Sequence, residues 1–160
     1  IYFKRIMNEG PKVKGNPLRI SVYLLVISYI LGEFIFPKYN LAYIFQLIGV
    51  IGLIFSIYLF FSGFNIFKSY DENPVPTSST NRLIKTGIFA YTRNPIYLSF
   101  IIFHLSMFFV FSNVVYFLSA LGLSVWIHFY VIKYEEEFLN ERFPDEFKRY
   151  MSAVNRWIFF

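Results

Sequence analysis

The chain has 160 residues, 56% of them hydrophobic and only 16% charged, with a net charge of +5. A soluble domain carries about 25% charged residues, and one this small lacks the interior volume to hide so much apolar surface, so lipid must supply the missing burial. The chain contains no cysteine, which excludes disulfides, thiolate metal sites and cysteine nucleophiles, and no metal site is expected.

A bilayer core requires about 20 mainly apolar residues per helix. Four stretches come close, at 18–36, 41–64, 95–111 and 114–132. The prolines lie outside these stretches or at a first position, where a missing N–H does no harm. Only Ser112 and Asn113 separate the last two segments, which predicts a tight helical hairpin; the sequence leaves open whether that hairpin crosses completely. The expected fold class is therefore all-α: a polytopic integral membrane protein of about four transmembrane helices, with a C-terminal hairpin and an amphipathic tail.

Orientation follows from lysine and arginine, which favour the cytoplasmic side. Lys4, Arg5, Lys12, Lys14 and Arg19 precede or open the first helix. Lys68, Arg82, Lys85 and Arg93 lie between the second and third helices, and Lys133, Arg142, Lys148, Arg149 and Arg156 follow the fourth. Only Lys38 falls on the opposite side. Both termini and the long middle loop are expected in the cytoplasm. Anionic headgroups account for the basic charge, so membrane lipids are the expected partners and nucleic acid is not.

The loop at 65–94 is longer than the roughly 15 residues beyond which loops are usually functional or disordered. Its second half is Leu83-Ile84-Lys85-Thr86-Gly87-Ile88-Phe89-Ala90-Tyr91-Thr92-Arg93-Asn94-Pro95. Gly87 allows a backbone conformation that other residues avoid. Phe89 and Tyr91 offer flat apolar walls. Asn94 followed by Pro95 reads as N-cap and first helical position, and a helix start beside Arg93 suits a carboxylate or phosphate. The competing reading is a membrane-surface loop with a capped helix and a snorkelling arginine.

The second informative region is Glu135-Glu136-Glu137-Phe138-Leu139-Asn140-Glu141-Arg142-Phe143, where the fourth helix leaves the membrane. Three adjacent carboxylates at the edge of lipid are costly unless solvated or paired. Either they form a solvated helix end, or one turns inward to bind an amine, a ribose hydroxyl or a cation. His128 and Glu135 are seven residues apart, as are Tyr97 and His104, so each pair is expected to share a helix face. Opposed in the hairpin, those faces would enclose a polar pocket. The alternative for each histidine is a hydrogen bond to a neighbouring helix.

Together these regions resemble the isoprenylcysteine carboxyl methyltransferase family, with its bacterial and archaeal relatives and the phospholipid methyltransferases. The first family signature resembles Gly87-Ile88-Phe89-Ala90-Tyr91-Thr92-Arg93-Asn94-Pro95-Ile96-Tyr97. The second resembles Glu135-Glu136, Leu139, Phe143-Pro144, Phe147 and Tyr150, followed by Val154 and Arg156-Trp157. Pro74-Val75-Pro76 stands where relatives often carry prolines. Ile88 replaces a proline, Phe89 and Phe147 replace tyrosines, Pro144 replaces a glycine, and Ser99 replaces a glycine where it would narrow a cofactor channel.

The resemblance implies S-adenosylmethionine as cofactor, bound by the last two helices and the cytoplasmic segments. It implies cofactor contacts from Gly87, Phe89, Tyr91, Arg93, Asn94, Pro95, Tyr97, His104, His128, Glu135 and Glu136. Arg93 and the helix start suit the cofactor carboxylate, and Glu135 or Glu136 suits its ammonium or ribose. The aromatic rings suit adenine or the sulfonium. Arg156, Glu135 and Glu136 are the expected catalytic residues. Arg156 would orient an anionic acceptor, and Glu135, Glu136 or His128 would deprotonate an amine or thiol. The acceptor is expected to be a small lipophilic molecule or lipid, such as a prenylcysteine-like carboxylate. The whole chain is read as one domain, with an N-terminal hairpin over 1–64 and a cofactor-binding core over 65–158. A nicotinamide-dependent membrane reductase related to sterol reductases and a non-catalytic membrane protein are the rival readings.

Overall fold

The first helix, α1 (Pro17–Phe34), begins where proline occupies its first turn and Asn16 precedes it. The Asn16 Oδ1 accepts the Arg19 N–H at 3.2 Å, satisfying one of the donors that a helix start leaves open. This is a computed structural model, and it describes residues 10–158; Lys4 and Arg5, used above for orientation, lie outside them.

The second helix, α2 (Tyr43–Ser69), packs along α3 (Pro95–Phe111) through a face of small residues. A Cβ on Gly49 would meet Val110 at 2.8 Å and Phe109 at 2.9 Å, and one on Gly63 would meet Ile96 at 2.7 Å. Glycine at these positions lets the two backbones approach closely, which is how helices associate where lipid offers no hydrophobic drive. The helix runs on past Phe64 to Ser69, beyond the predicted end. Its extra turn is held by packing: Ile66 lies against Gly87, and Phe67 meets Phe89 edge-on at 5.5 Å.

The hairpin after α3 forms as the sequence predicts. Ser112 takes a left-handed conformation with φ 52°, and Asn113 caps the next helix by accepting the Val115 N–H at 3.0 Å. The Asn113 amide also donates to Gly32 O at 2.9 Å, tying the turn to the end of α1.

α4 (Val114–Ile127) continues through a π-helical turn, His128–Ile132, into α5 (Lys133–Arg142). After Phe143 comes the amphipathic α6 (Pro144–Ala153), which buries Phe147 and Tyr150. The described residues contain no strand.

The chain is an integral membrane protein. Pro17–Phe34, Tyr43–Ser69 and Val114–Arg142 are long and apolar enough to cross a membrane. Their outward side chains, Ile51, Ile54 and Tyr58 among them, are large and exposed, as lipid contact requires. The expected fourth span is shorter: α3 has 17 residues, or about 25 Å at 1.5 Å per residue, against a hydrocarbon core of about 30 Å. Where α3 meets α4 and the π turn, Tyr97, Phe100, Leu123, Ile127, Val131 and Ile132 form one buried cluster. That cluster sets the position of Tyr97, and with it one wall of the site.

Candidate functional site

A cleft of about 920 Å³, measured out to its mouth, opens where α2, α3, α5 and α6 end together. Phe67, Ile84, Phe89, Phe138, Leu139 and Phe147 give it apolar walls, and Arg93, Tyr97, Glu135 and Glu136 supply its polar groups. The segment carrying Pro74, Val75 and Pro76 covers one side. That segment is held by Glu72, whose carboxylate accepts the Asn81 N–H at 3.1 Å and lies 3.7 Å from Arg82.

The two signature segments bind each other directly. Arg93 N–H donates to Asn155 O at 3.0 Å, and its Nη1 donates to Val154 O at 2.6 Å. The Thr92 hydroxyl and the Asn94 amide both donate to Arg156 O at 3.0 Å. Asn94 therefore holds the N-cap position of α3 without a side-chain cap; its amide clasps the tail instead. The Tyr150 hydroxyl donates to Phe89 O at 2.6 Å, and burial pushes its pKa above the usual phenol range, so it stays a donor at any physiological pH.

One carboxylate joins both arginines. Glu136 Oε1 accepts from Arg93 Nη2 at 2.8 Å and from Arg156 Nε at 3.1 Å, and its Oε2 pairs with Arg156 Nη2. The remaining Arg156 nitrogen, Nη1, lies 3.2 Å from His128 Nε2. Arg93 Nε is buried with no hydrogen-bond partner among the described residues. A buried donor left without a partner costs on the order of 1–3 kcal/mol.

Glu135 is placed differently from its neighbour. It meets no arginine among the described ion pairs, and its Oε1 accepts the Tyr97 hydroxyl at 2.7 Å inside the cleft. The π turn explains the separation. A regular helix brings residue i+7 back to the same face, but a π turn inserts one extra residue, so the face of His128 returns at Glu136. The expectation that His128 and Glu135 share a face is therefore corrected: His128 and Glu136 converge on Arg156, and Glu135 turns into the cleft.

Other expectations also change. His104 does not reach the cleft; it is fully buried among helices, 3.0 Å from Ser21 Oγ and 2.7 Å from Ser119 Oγ. The single polar pocket expected from Tyr97, His104, His128 and Glu135 is thus divided into separate groups. Tyr91 is 75% exposed and lines no part of the cleft, because the short 3₁₀ turn at Gly87–Ala90 turns Phe89 inward instead. Gly87 has φ 59°, and a Cβ there would lie 2.5 Å from Ile66; it shapes the turn without lining the cleft. Ser99 bonds its own helix at Ile96 O, 2.6 Å away, and narrows nothing.

Arg156 and His128 face a second, shallow and open cavity, shared with Arg93, Asn155 and Trp157. Of the predicted residues, Phe89, Arg93, Asn94, Pro95, Tyr97, Glu135 and Glu136 come together in the main cleft. The sequence reading missed Ile84, Phe138 and Leu139 as walls, and it gave Pro74-Val75-Pro76 and Phe147 no site role. Single apolar residues carry no chemical signal; only the helical spacing of Phe138 from Glu135 could have pointed to one of them.

The family model described as phospholipid methyltransferase matches residues 44–146. That stretch runs from the start of α2 to the start of α6 and so includes most of the main cleft, while Pro11, Phe147 and Tyr150 of the cleft wall, and Arg156 and Trp157, lie beyond it. No curated protein matches the chain.

Proposed function

The chain belongs to the phospholipid methyltransferase family, a family of membrane methyltransferases, and on that premise we propose that it transfers a methyl group from S-adenosylmethionine to a lipophilic acceptor. The observation that carries the cofactor reading is that one apolar cleft holds both a half-buried carboxyl, Glu135, with no arginine partner among the described ion pairs, and Arg93, whose Nε has no partner among the described residues. S-adenosylmethionine carries complementary groups. Its carboxylate suits Arg93 Nε, its ammonium or ribose hydroxyls suit Glu135, and its adenine suits the walls formed by Phe89, Phe138 and Phe147. When bound it supplies an electrophilic methyl on a sulfonium; the chain's residues need only hold the partners in line, since positioning dominates such displacements.

Arg156 is the candidate for orienting the acceptor. Its side chain is 29% exposed against 11% for Arg93, it faces the second cavity, and Glu136 braces it from behind. A lipid reaching that cavity sideways from the bilayer would present an anionic group to Arg156 and His128. An amine acceptor would instead need a base, and Glu135 is the carboxylate nearest the cleft that no arginine already holds. The whole chain is proposed as one unit, with residues 65–158 as the cofactor-binding core and both termini in the cytoplasm.

Titration of the purified protein with S-adenosylmethionine and, separately, with reduced nicotinamide dinucleotide tests the cofactor. Saturable heat or a thermal shift with the first alone is the expected result. A response to the nicotinamide cofactor alone would favour a reductase, and no response to either would leave a non-catalytic relative. For orientation, cysteine at Ser78 should label from the cytoplasmic face and cysteine at Lys38 from the other; the reverse pattern overturns the assignment.

A further inference from the structure

The main cleft is walled mostly by helices, but two of its covers are not helical. One is the segment carrying Pro74, Val75 and Pro76; the other is the arm at residues 10–15, whose Pro11 is buried as part of the cleft wall. The arm is fastened at two points. At one, Lys14 N–H donates to Tyr130 O at 3.0 Å. Tyr130 sits in the π turn, which widens the helix and disturbs its regular pairing, so the arm supplies a donor to a carbonyl of that turn. The Lys14 ammonium also lies 5.7 Å over the Tyr130 ring and 5.6 Å over the Tyr134 ring. At the other point, Gly10 rests on the loop. A Cβ at Gly10 would fall 1.9 Å from Thr77 O and 2.8 Å from the Ser78 carbonyl carbon, so backbone touches backbone. Between arm and helix, Gly15 holds φ 99°, and a Cβ there would lie 3.1 Å from Trp126.

We propose that residues 10–15 form a strap that closes the main cleft, buckled to the π turn at Lys14 and to the covering loop at Gly10. Segments held by few backbone bonds and little buried apolar area open locally at far lower cost than packed helices. Among the described residues the arm is held by one backbone bond to the π turn, by Val13 against the edge of the core cluster, and by contact alone at Gly10. Opening it exposes the side of the cleft lined by Pro11 and leaves the α2–α3–α4 packing untouched. The π turn is also what separates Glu135 from Glu136, so the strap's buckle sits on the element that aims the cleft carboxyl. Calling the guest a cofactor rests on the function proposed above; the strap itself does not.

The chain has no cysteine, which gives a clean test on the full chain. Ile84 lines the cleft and is 7% exposed, so Ile84→Cys reports access to it. Ala120, buried in α4 at 1% exposed, gives a control in Ala120→Cys. Gly10→Val forces the arm off Thr77, and Gly15→Val disfavours the left-handed turn that delivers Lys14 to Tyr130. Each should raise the rate of maleimide labelling at position 84 by about tenfold or more and leave position 120 slow. An unchanged rate at 84 in both variants overturns the strap. An equal rise at 120 also overturns it, because the arm would then be a general clamp on the fold. S-adenosylmethionine should slow labelling at 84 in the parent. If it does not, yet the strap variants still raise the rate, the strap stands and the cofactor reading fails.

Discussion

Two polar groups inside this protein do different work. In the middle of the bundle, His104 joins α1 and α4. The Ser119 hydroxyl donates to Tyr116 O at 2.7 Å, so His104 Nδ1–H donates to Ser119, and Nε2 is left to accept from the Ser21 hydroxyl. Every polar atom of the imidazole is matched and none faces a cavity. At the polar end, Arg93, Glu136 and Arg156 are also matched, yet they stand between two cavities with an arginine donor open. A polar group matched on every side and away from any cavity holds helices together; one that borders a cavity is placed to meet a ligand as well.

That distinction can be broken by mutation. The largest effect belongs to Glu136→Gln, which strips two guanidiniums of their shared charge. Breaking a buried ion pair costs about 3–5 kcal/mol, and denaturation in detergent should show a loss of that order. A loss below about 1 kcal/mol would mean that water, not Glu136, balances the arginines.

Next comes Glu135→Gln, which keeps a hydrogen-bond acceptor for Tyr97 and so preserves the fold. It removes a charged partner worth about 1–3 kcal/mol, so calorimetry should show S-adenosylmethionine binding about tenfold weaker or more. Unchanged affinity would remove Glu135 from the cofactor site.

His104→Leu should act in the opposite sense: stability falls by about 0.6–2 kcal/mol, the range for hydrogen bonds between membrane helices, while cofactor affinity stays the same. A change in affinity would join the two groups that the structure separates. The smallest effect is expected for Tyr91→Ala. This exposed ring should change stability by less than about 0.5 kcal/mol and leave cofactor affinity untouched in the same titration.

Much of this was legible beforehand. Apolar run lengths placed the helices, and Pro95 and the Ser112-Asn113 pair fixed the start of α3 and the hairpin, because prolines and caps act through local backbone chemistry. The signature residues identified the family and, of the cleft, Phe89, Arg93, Asn94, Pro95, Tyr97, Glu135 and Glu136. Glu135 and Glu136, adjacent and identical in type, could not be told apart from the sequence. Nor could Tyr91 be told from Phe89, since both read as aromatic walls.

By itself, the sequence determined that this chain must bury itself in lipid, that its helices run where hydrophobic length and prolines allow, and that its chemistry gathers at one polar end. Those properties depend on composition and on neighbours within a turn or two. Only the tertiary structure decided which glutamate meets the arginines and which enters the cleft, because that choice depends on a π turn whose carbonyl at Tyr130 is bonded by Lys14, more than a hundred residues earlier in the chain. A register shift of one residue has no signature in local sequence, since the helix accepts it only when distant partners satisfy the backbone it disturbs.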